Sequence, residues 1–104
     1  MKKMEKTVYS FEEIQARLVP VFQRYNVKKA VLFGSYGKGT ATGKSDIDLL
    51  VDSGLKGLRF VGLIEAVRRV LGEKEIGLFD VTHIEKGSLI EDEIMQTGVE
   101  IYEK

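Results

Sequence analysis

Apolar positions recur along this chain first at helical and then at alternating spacing, and each change of period marks an element. Phe11, Ile14, Leu18, Phe22 and Tyr25 repeat every three or four residues, the spacing of one helix face. Ser10 stands before them with Glu13 in the form of a capping box. A first helix is therefore predicted over about 10–25, kinked near Pro20, which has no amide hydrogen to donate. The run ending in Ala30-Val31-Leu32-Phe33 predicts a strand over 28–33. A glycine-rich connector over 34–45 follows, with one short helical turn after Gly37, and a second strand covers about 46–52. Ser53-Gly54 turns the chain into an amphipathic helix over 57–71. Phe60, Ile64, Val67 and Leu71 form its apolar face, Glu65 and Arg69 are spaced to pair, and Gly72 suits the end of the helix. Ile76 to Thr82 reads as a third strand. Ser88 then caps a helix to about Thr97, Gly98 ends it, and Val99-Glu100-Ile101-Tyr102 alternates as a short edge strand. This order predicts an α/β (α+β) fold, with a mixed β-sheet and flanking helices on one core.

Composition narrows the class. A chain of 104 residues has room for one domain, spanning 1–104, and one modest core. At 43% hydrophobic residues it is too apolar for a disordered tail. Lys and Arg number 16, as do Asp and Glu, and a zero net charge speaks against broad nucleic-acid binding. The absence of cysteine excludes disulfides and thiolate metal sites. No apolar stretch approaches the roughly 20 residues that cross a bilayer, and no apolar signal core follows the basic start. A soluble cytoplasmic protein without membrane contact is the expectation.

The chemistry concentrates in two short motifs twelve positions apart, Gly34-Ser35-Tyr36-Gly37-Lys38-Gly39 and Asp46-Ile47-Asp48. Side chains alternate along a strand, so Asp46 and Asp48 share a face, with Cα atoms roughly 7 Å apart. Ile47, Leu49 and Val51 point the other way, into the core. Two aspartates on an otherwise apolar strand are costly without compensation. A hard cation supplies it, since Mg²⁺ favours one or two carboxylates together with phosphate oxygens. A third carboxylate is wanted from a neighbouring strand, and Asp80 is the only charge in Ile76-Gly77-Leu78-Phe79-Asp80-Val81; Glu65 and Glu75 stand in reserve. Gly34 and Gly37 permit φ > 0 and close approach of the backbone to a ligand, and the Ser35 hydroxyl adds a donor for phosphate. For this turn to meet Asp46, the first two strands must run antiparallel. The bland alternatives are a turn cap for Asp46, a solvated face for Asp48 and an ordinary strand-to-helix turn at Gly34.

Three decoys fail. Gly43-Lys44-Ser45 resembles the end of a Walker A loop, but Lys38 stands where its first glycine belongs and a strand follows instead of a helix. Gly37-x-Gly39 is followed by Thr42 where a dinucleotide fingerprint needs glycine, and Phe33 replaces the first glycine of a hydrolase elbow. His83, the only histidine, is a candidate phosphate contact or a plain surface residue.

The glycine turn, Ser45-Asp46-Ile47-Asp48-Leu49-Leu50-Val51 and Phe79-Asp80-Val81 together resemble the signature of the DNA polymerase beta-like nucleotidyltransferase superfamily. The match is to its smallest branch, the minimal nucleotidyltransferases (MNT), and covers nearly the whole chain. The resemblance implies transfer of a nucleoside monophosphate from a triphosphate, ATP foremost, to an acceptor hydroxyl. By position, Gly34, Ser35, Gly37 and Lys38 would hold the triphosphate. Asp46, Asp48 and Asp80 would bind two Mg²⁺ ions, with Asp80 also helping to activate the acceptor. Many relatives carry arginine where this chain has Lys38; lysine keeps the charge but loses the bidentate fork. Many MNT proteins are antitoxins paired with a HEPN-domain ribonuclease, and some silence that toxin by placing AMP on one of its tyrosines. The resemblance thus implies a HEPN toxin partner. A non-catalytic antitoxin acting by occlusion, or a nucleotide sensor without turnover, are the competing readings.

Overall fold

The computed structural model describes residues 8–72 and 74–104. Its elements follow the order α1 (Phe11–Arg24), β1 (Lys29–Phe33), α2 (Ser35–Lys38), β2 (Ile47–Asp52), α3 (Leu58–Leu71), β3 (Ile76–Asp80), a 3₁₀ turn (Val81–His83), α4 (Leu89–Thr97) and β4 (Val99–Glu103). The capping box forms as the sequence predicts: the Glu13 amide donates to the Ser10 hydroxyl and the Ser10 amide to the Glu13 carboxylate. The helix continues through Pro20 to Arg24. Ser88 caps α4 in the same manner, its hydroxyl accepting from the Glu91 amide.

The sheet is mixed, in the order β3-β2-β1-β4. β1 runs antiparallel to β2 and to β4, whereas β2 and β3 are parallel. β4 is an edge strand, as its alternation predicts. One sheet face carries Ala30, Leu32, Ile47, Leu49 and Val51, all buried. They pack with Ile14, Leu18 and Phe22 of α1 and Leu63, Val67 and Leu71 of α3. Each valine, leucine, isoleucine or phenylalanine side chain so withdrawn from water contributes about 1.5–3 kcal/mol before entropy is counted, so α1 and α3 are held to that face. Helix α3 sits slightly rotated from the predicted stripe. Leu63 and Ala66 are buried with Val67 and Leu71, while Phe60 and Ile64 are only half-buried. Its ion pair is Glu65 with Arg68 at 3.5 Å, not the predicted Glu65 with Arg69.

The opposite face is left for chemistry. There Phe33 pairs in register with Asp48, and Asp48 with Gly77. Antiparallel pairing brings the end of β1, and hence the Gly34 turn, beside the start of β2, as the two motifs require. Among the described residues no helix is long and apolar enough to cross a membrane.

Candidate active site

The site forms where β1 ends and β2 begins. Gly34 leaves β1 with φ 73 and ψ −149, a conformation open to glycine and strained for other residues. The chain then turns at once into α2. The predicted helical turn therefore begins at Ser35, ahead of Gly37 and not after it. A side chain at Gly34 would place its Cβ 2.7 Å from Asp48 Oδ2 and 3.7 Å from Glu93 Oε2. On the other flank, a Cβ at Gly77 would lie 2.8 Å from Asp48 Oδ1. The Asp48 carboxylate is thus lodged between two backbones, each bare because its residue is glycine. Phe33, Phe79, Leu89, Ile90 and Glu93 join Asp48 in lining a cavity of about 220 Å³. A larger groove between α1 and α3 contains no carboxylate, so size does not follow chemistry here.

The electrostatics single out Asp48. Burial raises its pKa above the ordinary carboxylate value, and the charges of Asp46 and Glu93 raise it further. Among the described residues, neither the Asp46 nor the Asp48 carboxylate accepts a hydrogen bond from the protein, which leaves the turn-cap reading of Asp46 without support. A half-buried carboxylate with two acidic neighbours and no donor is what a hard cation would relieve. Asp46 and Asp48 fit Mg²⁺ in donor type. Among the described residues no three acidic or histidine side chains converge closely enough to form a ready metal cage.

The structure corrects the expectation for Asp80. Its partner in register is Val51, a core residue, so Asp80 faces α1 and α3 while Asp48 faces away. It also lies three residues beyond Gly77, about 10 Å further along the strand. Its carboxylate is fully engaged: Ser53 donates its amide (3.0 Å) and hydroxyl (2.6 Å) to Oδ1, and Thr82 its amide (3.1 Å) and hydroxyl (2.8 Å) to Oδ2. Burial pushes this pKa up, but the combined donors of Ser53 and Thr82 outweigh it and leave it lowered. Asp80 ends β3 and caps the 3₁₀ turn, which is why the strand stops at Asp80 and not at Thr82. His83 belongs to the same turn. Its Nδ1 accepts the Asp80 amide at 3.2 Å and its ring stands edge-on to Phe60, so the structure shows it in a structural contact. Glu65 lies on α3, and exposed Glu75 precedes β3, its carbonyl accepting the Ile47 amide at 2.9 Å; the charges that act on Asp48 are those of Asp46 and Glu93, not of these two.

Gly37 is corrected as well. It sits inside α2 without a positive φ. A Cβ there would come 2.2 Å from the Thr97 carbonyl oxygen, so its lack of a side chain serves the packing of α2 on α4. Ser35 opens α2 next to Gly34, and Lys38 is exposed at its end. Sequence reasoning missed Thr97, Glu93 and Gly77. The Gly34 amide donates to the Thr97 hydroxyl at 2.8 Å, and that hydroxyl donates to the Glu93 carbonyl at 2.7 Å. A threonine and glutamate four apart on an amphipathic helix carry no distinctive sequence signal. Gly77 did carry one, since glycine inside a strand marks close approach of another group.

Residues 16–104 match the family model described as Polymerase beta, Nucleotidyltransferase. The chain belongs to this nucleotidyltransferase family. A relative from Methanocaldococcus jannaschii, provisionally named protein adenylyltransferase MJ0435, is 32% identical over 94 residues, covering 88% of this chain and 98% of its own. A second from the same organism, MJ1379, carries the same provisional name and is 34% identical over 74 residues, 66% of this chain and 74% of its own. Two solved structures share the fold of this nucleotidyltransferase. One is a toxin–antitoxin with AMP-PNP, with TM-score 0.71 and 19% identity over 86% of this chain and 73% of that one. The other contains a tri-AMPylated Shewanella oneidensis HEPN toxin with an MNT antitoxin, with TM-score 0.67 and 15% identity over 90% of this chain and 73% of that one.

Proposed function

We propose that this nucleotidyltransferase moves AMP from ATP to a hydroxyl of a partner protein, and that the acceptor is a tyrosine of a HEPN-type toxin which it silences. The observation that carries the chemistry is Asp48, set between the bare backbones of Gly34 and Gly77 with no protein donor. Asp46 and Asp48 would hold Mg²⁺, which when bound offsets the charge of the triphosphate and favours ionisation of the acceptor hydroxyl. The remaining work falls to the chain itself. Gly34 lets the backbone approach the phosphates, but its amide is already given to Thr97, so the donors to phosphate are the Ser35 amide and hydroxyl. Lys38, exposed one turn on, contributes positive charge. In the transfer the acceptor hydroxyl gives up its proton to solvent, its oxygen bonds to the α-phosphorus, the bond to the bridging oxygen breaks, and pyrophosphate leaves.

The provisional name of the archaeal relatives supports a protein as acceptor, and the toxin–antitoxin structures support a toxin as partner. The cytoplasm, which supplies ATP and Mg²⁺, is the fitting compartment. Incubation with labelled ATP, Mg²⁺ and the product of the adjacent reading frame should yield an AMP adduct on a tyrosine, read by mass spectrometry. Failure to form an adduct or release pyrophosphate with any triphosphate would overturn the enzyme reading. A second reading, neutralisation by occlusion, draws on Gly77 and the core-facing Asp80, which leave β3 without a carboxylate beside Asp48. An Asp48→Asn variant that still neutralises the partner would favour it.

A further inference from the structure

Asp46, just before β2, and Asp48, within it, leave phosphoryl transfer short of a ligand. Divalent ions held for phosphoryl transfer would need more protein oxygens than two neighbouring carboxylates supply. β3 cannot supply one at the level of Asp48, because Gly77 is the paired residue and Phe79 the next on that face. β1 cannot either, since Phe33 is its paired residue.

The element that can is α4. Its Thr97 hydroxyl accepts the Gly34 amide, and its Thr97 carbonyl lies against Gly37. The end of α4 is therefore pinned to the turn after β1. Glu93 is one turn earlier, and residues four apart share a helix face, so Glu93 projects on the side that meets Gly34. Its Oε2 lies 3.7 Å from the position a Gly34 Cβ would take, and Asp48 Oδ2 lies 2.7 Å from that same position. Glu93 also lines the cavity that Asp48 lines. Among the described residues no lysine or arginine pairs with it, the ion pairs being Lys29 with Glu100 and Arg68 with Glu65.

We infer that Glu93 of α4 is the third carboxylate of the metal site, taking the place that Gly77 leaves open on β3. The inference rests on the nucleotidyltransferase reading above and assigns the ligand set within it. Glu93 acts by binding the ion directly, and it reaches the site only because Thr97 and Gly37 dock α4 on the turn.

The test is a Mn²⁺ titration of the full chain with a non-hydrolysable ATP analogue, followed by electron paramagnetic resonance of free Mn²⁺. Glu93→Gln keeps the size and helix preference of an exposed residue, so the fold should persist, checked by circular dichroism. Mn²⁺ affinity should fall at least about tenfold, since losing even an outer-shell partner of a metal ligand costs about that much, while Asp92→Asn on the same helix leaves it unchanged. If Glu93→Gln binds Mn²⁺ within about twofold of the unaltered chain, or Asp92→Asn weakens binding equally, Glu93 is not a ligand. Asp48→Asn separates the two levels. Loss of binding there with none in Glu93→Gln overturns the Glu93 assignment alone, whereas undiminished binding in Asp48→Asn overturns the metal-site reading beneath it.

Discussion

Two aspartates in similar strands have opposite surroundings, and the difference assigns their roles. Asp80 receives four hydrogen bonds and is 1% exposed; Asp48 has acidic neighbours and no donor. Asp80→Asn keeps an acceptor for Ser53 but turns an NH₂ toward the Thr82 donors. It should cost about 2–3 kcal/mol, seen as a lower denaturant midpoint, while transfer by the surviving folded protein persists. Asp48→Asn should do the reverse, losing transfer by orders of magnitude while the midpoint holds or rises. The pH dependence has matching signs. A raised folded pKa at Asp48 means the folded chain binds more protons, so its contribution falls as pH rises above the unfolded value near 3.8. Asp48→Asn should abolish that loss in metal-free urea melts. The lowered pKa of Asp80 contributes stability above the unfolded value, lost as pH falls through the folded one.

At the scale of elements, the contact that matters is α2 on α4. Gly37 lets the Thr97 carbonyl approach, and the Thr97 hydroxyl satisfies the buried Gly34 amide. Gly37→Ala would set a methyl 2.2 Å from a backbone oxygen, so α4 must shift. The expected cost is about 1–3 kcal/mol, with a raised KM for ATP because the cradle moves with it. Thr97→Val conserves shape but orphans the Gly34 amide, at about 1–3 kcal/mol. Thermal melts alongside ATP titrations check both; a Gly37→Ala variant as stable as the original would mean the helices are not locked by this contact.

For the whole molecule, the sheet divides structural from chemical work. Its α1/α3 face holds the core, and its other face holds Asp48 at the rim with α4 as a side wall. Ligand binding should therefore appear as global stabilisation, since an ion and nucleotide bound only by the folded state add RT ln(1 + [L]/Kd). At a hundredfold excess over Kd this amounts to about 2.7 kcal/mol. Mg²⁺ with an ATP analogue should raise the melting midpoint, EDTA should reverse the rise, and Asp48→Asn should show none.

Periodicity alone determined the kinds and bounds of most elements, because the apolar stripes at Ile14–Leu18–Phe22 and Ile47–Leu49–Val51 and the Ser10 and Ser88 caps are local chemistry. It also placed Asp48 on the face away from the core, while the need for the glycine turn to meet Asp46 required β1 and β2 to be antiparallel. What it left open was which face of β3 lies with Asp48. Alternation says that Leu78 and Asp80 share a side, but only the parallel register, with Gly77 beside Asp48 and Asp80 beside Val51, decides that this side is the core. The stripe on α3 was ambiguous for a similar reason, since Phe60–Ile64–Val67 and Leu63–Ala66–Val67 are both helical rows and only packing selects the deeper one. Glu93 and Thr97 gained meaning solely from the docking of α4 on the Gly34 turn, a contact 63 residues apart in the chain. Local pattern determines which side chains share a face; tertiary packing decides what each face meets.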